Sequence, residues 1–210
     1  MAKSSASFVC QSCGNVTSKW AGKCDACGGW NTITEEGAPI PLGNNAGPRK
    51  RGRKFTLEDL KTEDEAPPRR ITGTAEFDRV TGGGLVPGSA LLIGGDPGVG
   101  KSTLILQALA SYANKGGTAV YISGEEAMAQ VRLRASRMGL SDAPVNLGAA
   151  TNVEDILTTL EAGPPPGILA IDSIQTIWTS ALDAAPGTIA QVRTGSFDLV
   201  RYAKASGAAL

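Results

Sequence analysis

A chain of 210 residues has room for one good-sized core and a small appendage. Its 20 basic and 20 acidic residues cancel, so net charge singles out no partner, and the lack of histidine excludes imidazole acid–base and triad chemistry. With 27 glycines and 12 prolines it is too punctuated for a helix bundle and suits an α/β domain. Aromatic residues make up only 5%, so Leu, Ile, Val and Ala are expected to fill the core.

The first residues, "MAKSSASFVC", lack the apolar core of a secretory signal, and no apolar run approaches the roughly 20 residues of a membrane span. A cytoplasmic protein is therefore expected, where paired cysteines bind metal more often than they form disulfides. All four cysteines, Cys10, Cys13, Cys24 and Cys27, fall in the pattern C-x₂-C-x₁₀-C-x₂-C. Each pair is followed by a glycine, Gly14 or Gly28, which lets backbone amides approach the sulfurs of a knuckle. Four soft thiolates in two such pairs predict a tetrahedral zinc site, with Lys19 and Lys23 near to offset its negative charge. Zinc is expected to act as a structural staple for residues 8–34, too few to build a core. Trp20 and Trp30 suit either packing over the metal site or stacking on a base.

Residues 35–70 are rich in Pro, Gly and charge and predict a flexible linker. Within it, "RKRGRK" (49–54) suits either an anchor for a phosphate backbone or a solvated linker face.

From Ile71 onward, strand-like runs alternate with helical patterns: "ALLIG" then 101–114, "AVYIS" then 125–138, "PVNLG" then 152–161, "GILAID" then 188–205. That alternation predicts a mainly parallel sheet covered by helices, over 71–210. "GDPGVGKS" matches G-x-x-x-x-G-K-[ST] between an expected strand and an expected helix. Gly95, Asp96, Pro97, Gly98, Val99 and Gly100 would wrap a phosphate chain with inward amides, at the positive end of a helix dipole. Lys101 would reach the β- and γ-phosphates, Ser102 would bind Mg²⁺, and Thr103 would border the nucleotide. Asp172, at the carboxyl end of a buried strand, would hold the magnesium through water. Glu125 and Glu126 follow "AVYIS" and either can polarise a water for attack on the γ-phosphate, or simply favour a helix N-terminus.

Taken together, "TGGGLVPGS" ahead of the glycine-rich loop, "YISGEEA", "LAIDSIQTI" and "APGTIAQVR" resemble the bacterial RadA (Sms) family, which is similar to the RecA recombinase and to hexameric replicative helicases. The resemblance covers all but the linker. It implies a RecA-like P-loop NTPase core behind a zinc ribbon, using ATP, Mg²⁺ and Zn²⁺, with Lys101, Glu125 and Asp172 in catalytic positions. It places the catalytic glutamate one residue past a small one, hence Glu125 after Gly124 rather than Glu126. It further implies a homo-hexameric ring on single-stranded and branched DNA, promoting branch migration beside RecA, with 179–193 as a DNA-facing loop.

From the residues alone, Arg193 near the start of the last helix is the better DNA candidate, because Phe197 and Val200 are expected to turn Arg201 toward the core. An ATP-switched adaptor whose zinc module docks a partner suits the same motifs. A phosphotransferase of the clock-protein type would share the loop but need a protein hydroxyl at the γ-phosphate. The final "RYAKASGAAL" reads as a helix end, a glycine stop and a new apolar run, as expected of an N-terminal fragment.

Overall fold

The computed structural model describes residues 7–10, 16–17, 19–26, 28–30, 32–36, 57, 59 and 68–210. The chain divides into two compact units, Met1–Glu63 and Asp64–Leu210.

In the first unit, strand β1 (Ser7–Cys10) pairs antiparallel with β2 (Val16–Thr17) on one side and β3 (Ile33–Glu36) on the other. Cys10, Cys24 and Ile33 are its buried cluster, with Phe8 and Ala21 packed against them. Among the described residues that is a small apolar cluster for a three-stranded sheet, which suits a ribbon stapled by metal. Trp20 and Trp30 do not join the cluster; they are 62% and 70% exposed. The Trp20 indole N–H donates to the Ile33 carbonyl at 3.2 Å, and the Lys23 ammonium sits 5.6 Å from the centre of the Trp30 ring. The expected linker, including 49–54, lies almost wholly outside the described residues.

In the second unit α1 (Ala75–Val80) and α2 (Lys101–Asn114) are followed by β4 (Ala119–Ser123), α3 (Met128–Arg137), β5 (Val145–Ala149), α4 (Val153–Glu161), β6 (Ile168–Asp172) and α5 (Ile189–Ser206). A three-residue 3₁₀ turn, Ile174–Thr176, follows β6. The strands run parallel in the order β5–β4–β6, each joined to the next by a helical crossover. Strand alternation sorts the core into two layers. Ala119, Tyr121 and Ile168 face Leu106 and Leu109 of α2 and Val131 of α3. Ile122 and Leu169 face Val153, Ile156 and Leu160 of α4 and Leu199 and Tyr202 of α5. Each fully buried Leu or Ile contributes about 1.5–3 kcal/mol, so this unit holds itself together by ordinary burial.

Two expectations are corrected here. "ALLIG" forms no strand: beyond Ser89 and Leu91 its ladder has no partner among the described residues. Leu210 N–H donates to Ser89 O at 2.9 Å and Leu91 N–H to Leu210 O at 2.7 Å, while Ala209 bonds to β6 on its other side. Residues 208–210 thus separate this segment from the sheet, and Leu92 is 82% exposed. On α5 the buried stripe is Gln191, Gly195, Leu199, Tyr202 and Ala203. Phe197 is exposed, and Arg201 lies on that outer face, paired with Asp198 at 3.1 Å, rather than bordering the core.

Candidate functional site

The glycine-rich break opens directly into α2, a helix of 14 residues with no acidic side chain in its first turn. The positive end of its dipole is therefore uncompensated from within the helix, which suits an anion. Gly98 and Gly100 adopt φ of 80° and 99°, and a Cβ at either would meet nothing within 4 Å. Conformation, not crowding, is what requires glycine there, and it leaves open space beside the amides. The Lys101 ammonium donates to the carbonyls of Gly95 at 2.7 Å and Asp96 at 2.9 Å, folded back over the loop. A cation held only by exposed carbonyls is readily exchanged onto phosphate oxygens.

Asp172 ends β6 and Ser123 ends β4, and the two are register partners. One cavity is bordered by Lys101, Asp172 and Ser173 together with Leu91, Ile105 and Leu109. Gly124, just past β4, continues the ladder by donating to the Asp172 carbonyl at 2.9 Å. A Cβ on Gly124 would come within 2.0 Å of the Thr176 hydroxyl, so only glycine lets the turn after β6 close over the end of β4. That closure brings Glu125 to Ser173, whose hydroxyl donates to the Glu125 carboxylate. The chain thus brings Lys101 and Asp172 to one largely apolar cavity; Ser102, Thr103 and residues 94–100 do not line it, and Glu125 reaches it only through its bond with Ser173.

Glu126 is engaged otherwise. Its amide donates to the Ser123 hydroxyl at 2.8 Å, and its carboxylate pairs with Arg134 of α3. The phenol of Tyr121, 1% exposed on β4, donates to Asp172 Oδ2. Burial first, and then this hydrogen bond, push the Tyr121 hydroxyl far above its ordinary value, so it stays a donor. Neither Tyr121 nor Ser173 stands out in the sequence. Each is a single residue in a strand or turn, and only the register and the closure at Gly124 give it a partner.

The segment 179–193 is pinned at both ends. The buried Gln191 side chain accepts from Thr179 N–H at 2.8 Å and donates to the carbonyls of Thr179, Leu182 and Ala184. Glu154 of α4 accepts from the Thr179 hydroxyl at 2.6 Å and from both the amide and hydroxyl of Ser180. The Thr179 bond, opposed by burial and reinforced by Ser180, lowers the Glu154 carboxyl to about 2. Arg193 is exposed on the first turns of α5.

In the ribbon unit, Cys10 and Cys24 are both fully buried in one cluster. Cys13 and Cys27 lie outside the described residues. The turn after Cys24 is a knuckle: Gly28 takes φ of 73° and its amide donates to the Cys24 carbonyl at 2.8 Å. Cys10 Sγ lies 3.2 Å from the Thr32 hydroxyl. Two buried sulfurs, one of them at a knuckle turn, fit zinc thiolate chemistry.

Residues 71–162 match the ATPase family described as KaiC, and residues 8–35 match the rubredoxin metal binding domain. The second unit therefore carries a RecA-like ATPase domain and the first a rubredoxin-like zinc ribbon. The chain is 52% identical over 217 residues to the DNA repair protein RadA of Brucella abortus, a match spanning 100% of this chain and 46% of that protein. It is 45% identical to that of Pseudomonas aeruginosa, over 100% of this chain and 46% of the relative. Against the Bacillus subtilis protein it is 40% identical, over 99% and 46%. Over nearly its whole length the chain is similar to these RadA proteins, and it spans about half the length of the curated relatives it matches. Among the described residues no helix is long and apolar enough to cross a membrane.

Proposed function

We propose that this chain is the nucleotide-hydrolysing and metal-ribbon part of a DNA-repair ATPase that acts on single-stranded and branched DNA. The observation that carries the reading is that Lys101 and Asp172 border one cavity while Ser173 links Glu125 to its edge. Backbone amides of 95–103, Pro97 excepted because it has no N–H, and the Lys101 ammonium would bind the triphosphate, and the Ser102 hydroxyl and Asp172 carboxylate would hold Mg²⁺. Held by Ser102 and Asp172, a magnesium ion would supply Lewis-acid stabilisation of the charge that builds on the phosphates. Glu125 accepts the proton of a water whose oxygen bonds to the γ-phosphorus as the bond to the β-phosphate oxygen breaks, giving ADP and phosphate. The engagement of Glu126 with Arg134 supports Glu125 for this role. Cys10, Cys13, Cys24 and Cys27 hold Zn²⁺ as the staple of the ribbon.

DNA dependence, a homo-hexameric ring and branch migration beside RecA come from the family relationship. The loop 179–188 and exposed Arg193 are the residues of this chain offered to DNA. The names of the relatives support the repair role. Hydrolysis by the full-length protein should rise at least several-fold with single-stranded DNA. An unchanged rate, with Mg²⁺–ATP still bound, would replace the motor by an ATP-switched adaptor, for which the two exposed tryptophans of the ribbon supply a docking surface.

A further inference from the structure

The geometry points to Tyr121 as the positioning residue of the magnesium carboxylate: its hydroxyl fixes Asp172 through Oδ2 and leaves Oδ1 for the metal's shell. This rests on the reading of Asp172 given above.

Three observations carry it. Tyr121 is opposite Ala170 in the parallel register, which puts Asp172 two residues along β6 on the same face of the sheet. The methyl of Ala170 leaves the ring room to lean along the strand, and a phenol is long enough to span that diagonal. Second, Tyr121 is 1% exposed among Leu109, Val131 and Ile168, so its ring has little freedom to move and its hydroxyl is a fixed point. A buried hydroxyl without a partner is destabilising, and the Asp172 carboxylate is the partner it has. Third, among the described residues no other side chain or amide hydrogen-bonds to that carboxylate. Rotation about the Asp172 side chain is therefore stopped by Tyr121 and by nothing else described. The Glu126–Arg134 pair carries charge near the same hydroxyl without bonding to Asp172.

A metal ligand is only as well placed as the group that orients it, and losing such a partner typically lowers metal affinity or activity 10- to 100-fold. Tyr121→Phe keeps the ring and removes the one donor. Binding of a fluorescent ATP analogue is titrated with Mg²⁺, and separately in EDTA, alongside a circular-dichroism melt. The Mg²⁺ concentration at half effect should rise about 10-fold. Affinity in EDTA should stay as in the unaltered protein. p-Aminophenylalanine at position 121 restores an N–H donor on the same ring, and should return the Mg²⁺ midpoint most of the way. A destabilised fold would weaken binding in EDTA as well and would not be rescued, which counts against the inference. An unchanged Mg²⁺ midpoint in Tyr121→Phe, while Asp172→Asn loses its Mg²⁺ response, overturns the role of Tyr121 alone. Should Asp172→Asn also keep a normal Mg²⁺ response, the assignment of Asp172 to the metal falls, and that of Tyr121 with it.

Discussion

The two units of this chain solve the same problem by opposite means. The ATPase unit buries two layers of Leu, Ile, Val and Ala against a parallel sheet, and its stability is spread over many side chains. Among the described residues of the ribbon, two cysteines and an isoleucine are buried and both tryptophans stand in solvent. A function that needs an open phosphate loop can sit at the edge of the first because the core does not depend on that loop. In the second, on the proposed zinc reading, metal binding at the cysteines and the stability of the fold are the same thing.

Breaking the loop should give the largest effect and leave both folds intact. Lys101→Ala removes the ammonium proposed to bind the phosphates and should reduce hydrolysis at least about 100-fold. Melting temperature and zinc content should not change. Next, Glu125→Gln should cut turnover about 10²–10⁴-fold while ATP stays bound, as read by equilibrium binding beside steady-state rates. Glu126→Gln should instead lower stability through its lost pair with Arg134; an equal loss of turnover there would move the catalytic role by one residue.

The contrast between the units is sharpened by a reciprocal pair. Cys24→Ser should release zinc, measured by metal analysis, and unfold residues 8–34, with the main thermal transition of the ATPase unit in place. Leu169→Ala, at a site 1% exposed, should cost that transition about 2–5 kcal/mol and leave one zinc per chain. The smallest effect is a pH dependence. Glu154 is lowered from 4.5 to about 2, so its bonds to Thr179 and Ser180 stabilise the folded state fully above pH 4.5. That contribution fades as pH falls from there toward 2. The difference in melting temperature between the unaltered protein and Glu154→Gln should therefore shrink over the same window.

Much of the ATPase unit was legible because its signals are local. The expected "AVYIS" strand and 101–114 helix coincide with β4 and α2, and the remaining expected elements, "ALLIG" aside, lie within three residues of those observed. Apolar periodicity and the phosphate-loop pattern need only neighbours in sequence. What sequence could not supply was pairing between distant segments. The run before the loop has the composition of a strand, yet whether it pairs depends on what lies beside it, and among the described residues its ladder partner is Leu210. Phe197 looked like a core residue because composition alone does not say which face of α5 meets α4. Tyr121 and Ser173 are the clearest case: 51 and 48 residues separate them from the carboxylates they touch.

The account stands or falls on a triphosphate gripped at 95–103. A crystal structure of the full-length protein with Mg²⁺ and a non-hydrolysable ATP analogue tests this most directly. It should show the β- and γ-phosphates hydrogen-bonded to amides of Gly98 through Ser102, with Lys101 swung off the carbonyls of Gly95 and Asp96 onto phosphate oxygen. A nucleotide bound elsewhere, or Lys101 still folded onto those carbonyls beside an occupied site, would contradict it.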